Sequence, residues 1–170
     1  MKINPLVSRF GDLTKEEQDL MFSAPALVSI LIAGADDNIK DIHLKVAREL
    51  AVYKSKTSEP YLRRYFEIAS EDIENKINEL IARLPGKASH RNPMIIEDLK
   101  RVNNIIQRIN FDFADKFYFA LKDIARCVAE ASGGILGYMS INKDEARALN
   151  NLNMILRPTP DPDIKNQEAK

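Results

Sequence analysis

Apolar residues recur at three- and four-residue spacings along almost the whole chain, from Leu20 to Leu156, and no stretch alternates apolar with polar strongly enough to require a strand. That periodicity predicts an all-α protein of about seven helices. The connections between them are short, which favours antiparallel neighbours and a helical bundle. At 170 residues, 45% hydrophobic and 29% charged, the chain is long enough to bury a real core and short enough to be one domain. The expected domain spans residues 1–156. Residues 157–170, with three prolines and little apolar content, read as a disordered tail.

Helix boundaries are written in caps and breakers. Thr14-Lys15-Glu16-Glu17 is a capping box that starts the first helix. Pro25 predicts a kink or break near Ser23 to Pro25, because it lacks the amide proton and crowds the carbonyl four residues earlier. Gly34 and the Asp36-Asp37-Asn38 cluster end that helix. Ile42, Val46, Leu50 and Tyr53 share one face of a second helix. Ser58 and Pro60 open a third, and Ser70-Glu71-Asp72 reads as a fresh start for a fourth, which Pro85-Gly86 stops. Asn92-Pro93 is the expected start of a fifth, with Lys87 to Arg91 as an exposed basic connection. Phe113, Phe117, Leu121, Ile124 and Val128 make the cleanest stripe and predict a sixth helix at the centre of the core. After Gly133, Gly134 and Gly137, a looser capping box, Asn142 to Glu145, opens the seventh.

Composition excludes several functions. Lys and Arg together equal Asp and Glu, 25 each, with no long run of either sign, so the electrostatic footprint of a nucleic-acid binder is missing. The longest strongly apolar stretch, Ala24 to Ala35, is about half the roughly 20 residues a membrane helix needs, so no membrane insertion is expected. One cysteine, Cys127, in an apolar helical pattern and no export signal together point to the cytoplasm. Pairing Cys127 with His43 or His90 as nucleophile and base is the least favoured reading, since a small thiol in such a stripe is ordinary packing.

One constellation carries chemistry. Asp36, Asp37, Asn38, Asp41 and His43 sit within eight residues at a helix–turn–helix junction, where carboxylates and an imidazole can converge on a divalent cation. The EF-hand spacing is not met. The competing reading is that Asp and Asn end one helix and cap the next. Glu145, with Glu130, Ser132 and Asp144, marks a comparable second junction.

The two junctions echo each other. Ile32-Ala33-Gly34-Ala35-Asp36-Asp37-Asn38-Ile39 resembles the Ala-Asp-Gly-x-Ile-x-x-x-Glu signature of tellurite-resistance TerB-like domains, with Asp37 in the glycine position and His43 in the glutamate position. Ala129 to Gly137, with Ile141 and Glu145, resembles the glycine-rich second junction of relatives of those domains. The resemblance covers mainly residues 24–53 and 113–156. It implies two related helix–turn–helix halves, metal binding by acidic residues at the junctions, and a non-enzymatic, stress-associated adaptor. The metal set expected is Asp36, Asp37, Asp41, His43 and Glu145, with no cofactor other than a divalent cation. The alternative is a ligand-free protein-interaction module or homodimer, using the wide face Ile95, Ile96, Leu99, Val102, Ile105, Ile106 and Ile109.

Overall fold

A computed structural model describes residues 10–109, 111–131, 141 and 143–157. Six helices lie within them: α1 Lys15–Ala33, α2 Asp41–Thr57, α3 Pro60–Arg83, α4 Ala88–Gln107, α5 Phe111–Glu130 and α6 Lys143–Leu156. No strand occurs among the described residues, so the all-α expectation holds. The glycine-rich turn around Gly133, Gly134 and Gly137, Asn142 of the second capping box, and the tail after Arg157 lie outside the described residues.

The fourth expected helix start, at Ser70, is absorbed into α3. Its hydroxyl bonds back to the Glu67 carbonyl at 3.2 Å instead of capping a new helix, and the buried stripe Leu62, Phe66, Ala69, Ile73, Ile77 and Leu80 runs through without interruption. The helix expected to begin at Asn92 begins four residues earlier, and Pro93 lies inside it. The capping box on α1 forms in full: the Glu17 amide donates to Thr14 Oγ1 at 3.2 Å and the Thr14 amide to Glu17 Oε2 at 3.0 Å.

The central helix is α1, not the clean stripe of α5. From Ser23 to Ala33 every residue is buried, and α1 touches each of the other five helices. A helix that is apolar all round belongs inside, whereas a sharp stripe with a charged opposite face, as on α5, belongs at the boundary. One apolar cluster takes side chains from all six helices. Most of the Ile95 to Ile109 face is spent on it: Ile95, Leu99, Val102, Ile105, Ile106 and Ile109 are buried within the chain's own core, and Ile96 is partly buried against it.

Pro25 sits inside α1 without ending it. Its missing amide leaves the Met21 carbonyl, four residues back, without a helical partner. Tyr65 of α3 supplies the proton: its hydroxyl donates to the Met21 carbonyl at 2.6 Å in a fully buried setting. Burial pushes the phenol pKa well above its ordinary value, so the hydroxyl remains a donor at every physiological pH. The ring is held by Phe66 and Phe117, each with its centroid 5.0 Å away edge-on, and by Phe22, stacked at 5.5 Å.

Tyr65→Phe keeps the ring and leaves a buried carbonyl unpaired, which costs about 1–3 kcal/mol. On a Pro25→Ala background the restored amide satisfies Met21, and the same substitution costs measurably less. Thermal unfolding of the four proteins in this cycle reads the coupling, and equal costs on both backgrounds refute it.

Candidate functional site

The first junction is built on close approach. At the end of α1 the Gly34 amide donates to the Ile30 carbonyl at 3.0 Å, and the Gly34 carbonyl accepts from the Arg91 guanidinium of α4. A second nitrogen of Arg91 donates to the Gly86 carbonyl at 2.6 Å. Arg91 is 3% exposed, where the basic sequence around it predicts an exposed loop. A Cβ at position 34 would lie 2.7 Å from the guanidinium carbon and 3.0 Å from Ile39 Cγ1, so any side chain here displaces the seated guanidinium. The guanidinium lies at the carbonyl end of α1, where a cation is favoured. Burial lowers its pKa and the Asp37 carboxylate opposes that effect.

The acidic residues of this turn have structural partners. Asp36 Oδ1 accepts from the Asn38 amide at 3.1 Å, a local Asx turn. Asp37 adopts φ 67°, the left-handed region that Asp tolerates better than most residues, and this delivers its carboxylate to the Ala88 amide at the start of α4. That cap explains why α4 begins at Ala88. Asp41 lies exposed in the first turn of α2, where its charge favours the positive helix end.

His43 stands apart from these acids. It is 2% exposed, and Glu145 of α6 is equally buried at 2%. The apolar periodicity of α2 predicts Ile42 and Tyr53 on its inward face; they are 45% and 60% exposed, while His43, Leu44, Ala47 and Ala51 are buried. Neither ring nitrogen of His43 makes a hydrogen bond among the described residues, although the Ala33 carbonyl is close enough to favour the protonated ring. Desolvation lowers the pKa of His43, Glu145 raises it, Lys40 lowers it and Asp36 raises it, with a net value below the ordinary one.

Of the expected set the structure buries His43 and Glu145, leaves Asp41 exposed, ties Asp36 into a local turn and commits Asp37 to α4. No three His, Cys, Asp or Glu side chains among the described residues form a group able to hold a metal ion. Arg91 is the junction residue that sequence reading missed. Its signal was present: with Ile95, Leu99 and Val102 it continues the inward stripe at four- and three-residue spacing. Of the other chemistry-bearing residues, Cys127 is half-buried with its thiol pKa pushed up by burial, His90 is exposed, and Glu130 pairs with Arg126 at 3.0 Å. No helix among the described residues is long and apolar enough to cross a membrane.

No family model, curated protein or solved structure matches this chain. The TerB-like resemblance stands on its residues alone.

Gly34→Ala forces Arg91 or the turn to move and costs about 1–3 kcal/mol by overpacking. Chemical denaturation reads the loss, and an unchanged midpoint means that the guanidinium does not seat on this turn. For His43, the unfolded ring takes up a proton near pH 6.5 while the folded ring resists it to lower pH. The stability tied to this group is therefore full above pH 6.5 and declines on acidification towards the folded pKa, at no more than about 1.4 kcal/mol per pH unit. Denaturation between pH 7.5 and 5 detects it as a component that His43→Leu removes.

Proposed function

We propose that this chain is a non-enzymatic helical protein of the TerB-like kind, a cytoplasmic, stress-associated adaptor that binds a divalent cation weakly at its two helix–turn–helix junctions. On this reading α1–α2 and α5–α6 are the related halves, with His43 and Glu145 as their counterpart contributions and Asp36 as the nearest further acid. Asp37 and Asp41 take part only if the turn reorganises, since Asp37 already holds the start of α4. One observation carries the reading: a buried imidazole whose ring nitrogens make no hydrogen bond among the described residues, with the charge of the buried Glu145 raising its pKa. A buried polar side chain left in that state is the feature for which an ion is a standard explanation.

A second reading, an interaction module without a ligand, draws on Phe119. This ring is 57% exposed on α5 and borders a shallow hollow of about 350 Å³ with Leu62 and Ala120 at its base. Lys54 with Asp123, 2.7 Å apart, and Lys116 with Glu59, 2.5 Å apart, rim it. An exposed aromatic inside a charged rim is the anatomy of a small protein-contact patch.

Calorimetric titration of Ca²⁺, Zn²⁺ and Ni²⁺ into chelator-treated protein, with melting temperatures in parallel, separates the two. The cation reading expects saturable heat and a rise in melting temperature for at least one ion, because ligand bound only by the folded state stabilises it. Absence of both for all three ions overturns it and leaves the interaction module.

A further inference from the structure

We propose that α5 binds α5 of a second copy of this chain, antiparallel across a two-fold axis at Phe119. The pairing rests on the contact-patch reading of Phe119 above and names its partner.

One face of α5 packs inward: Phe113, Phe117, Leu121, Ile124 and Val128 are buried. The opposite face carries Asp112, Asp115, Lys116, Phe119, Lys122, Asp123 and Arg126, at the three- and four-residue spacing that keeps side chains on one side of a helix, and none of them is buried.

Along that outer face the charges change sign about Phe119. Asp112 lies seven positions before it and Arg126 seven after, Asp115 four before and Lys122 three after, Lys116 three before and Asp123 four after. Two copies laid antiparallel with Phe119 at the axis bring Asp112 against Arg126, Asp115 against Lys122 and Lys116 against Asp123. Each pair is in register to within one residue, about 1.5 Å of helix. The two-fold axis makes every pair twice. Laid parallel, the same face meets itself, carboxylate on carboxylate and ammonium on ammonium, which repels. Charge order therefore selects the antiparallel arrangement.

The charges within one copy leave this pairing open. Asp115 and Lys122 take part in no ion pair among the described residues; Lys122 stands over the Tyr118 ring, 5.9 Å from its centroid. Lys116 pairs with Glu59 and Asp112, Asp123 with Lys54 and Arg126, and Arg126 also with Glu130. A carboxylate has two oxygens, an ammonium three donors and a guanidinium five, so each of these groups accommodates a further partner. Shape agrees with charge. Phe119, 57% exposed, lines one side of the hollow of about 350 Å³ that Leu62 and Ala120 also line. Ring and hollow share one patch, so the axis offers each ring to the hollow of the other copy, as a self-complementary contact requires. With 25 basic and 25 acidic residues the chain has no net charge to hold two copies apart.

Sedimentation equilibrium of the full chain, over a range of protein and salt concentrations, reads the association. Expected is a monomer–dimer equilibrium that weakens as salt screens the exposed pairs. Phe119→Ser raises its dissociation constant about tenfold or more. Asp112→Lys with Asp115→Lys sets cation against cation and abolishes the dimer, and Lys122→Glu with Arg126→Glu abolishes it by setting acid against acid. An equimolar mixture of these two double variants dimerises again, because every contact of the mixed pair is once more between opposite charges. Failure of the mixture to associate, with both variants folded by circular dichroism, overturns the proposal. Should a double variant fail to fold, salt and Phe119→Ser carry the test. A chain that is monomeric at every concentration overturns the proposal and leaves the contact patch to a partner of another kind. A dimer indifferent to salt and to Phe119→Ser overturns the proposal together with the contact-patch reading, because the surface by which this chain associates is then another one.

Discussion

Everything in this bundle is arranged around a helix that has no outward side. From Ser23 to Ala33 the α1 helix is enclosed, and a helix in that position cannot hand an unsatisfied backbone group to water. Pro25 creates one such group in the middle of the enclosed stretch, and α3 answers it with the Tyr65 hydroxyl. The pairing fixes the height of α3 against α1, since the donor must meet one carbonyl and no other. The aromatic rings of Phe66, Phe117 and Phe22 around Tyr65 then convert a single hydrogen bond into a packed contact among three helices.

The end of α1 is governed by the same requirement. Its last turn presents carbonyls to an interior from which water is excluded, and Arg91 supplies a fixed cation to Gly34 and Gly86 together. A lysine offers a point charge and no fork, so it does not replace this bridging geometry. Once the guanidinium is seated, the turn that follows is shaped around it: glycine where the nitrogen approaches, a left-handed aspartate where the chain must reverse. His43 enters the interior on the next turn of helix as a consequence of that reversal.

Sequence periodicity reads helices well and reads rotation about the helix axis poorly when the inward residues are small. On α2 the large residues Ile42 and Tyr53 drew the expected face towards themselves, whereas Ala47 and Ala51, with little apolar weight, are what the core accepts. That error of about one residue is what hid the burial of His43. The helix centre was misplaced for a related reason: a contrast between two faces is easier to see on α5 than the uniform apolarity of α1, although uniformity is the stronger sign of enclosure. Arg91 was legible only as a position on a stripe, because its charge argued the other way. Ser70 and Asn92 show the limit of caps. Both are competent local starts, and both lie inside longer helices.

The cap that extends α4 spans 51 positions of sequence, from Asp37 to Ala88. The first turn of α4 therefore belongs, in energetic terms, to the α1–α2 turn as much as to its own helix. Cut out as a peptide, α4 would keep its local start at Asn92-Pro93 and lose the turn before it. Within the intact chain, the amides of residues 88–91 and the turn at 34–38 form one unit of opening and closing. Slow exchange at the beginning of α4 thus measures how firmly a distant turn is closed.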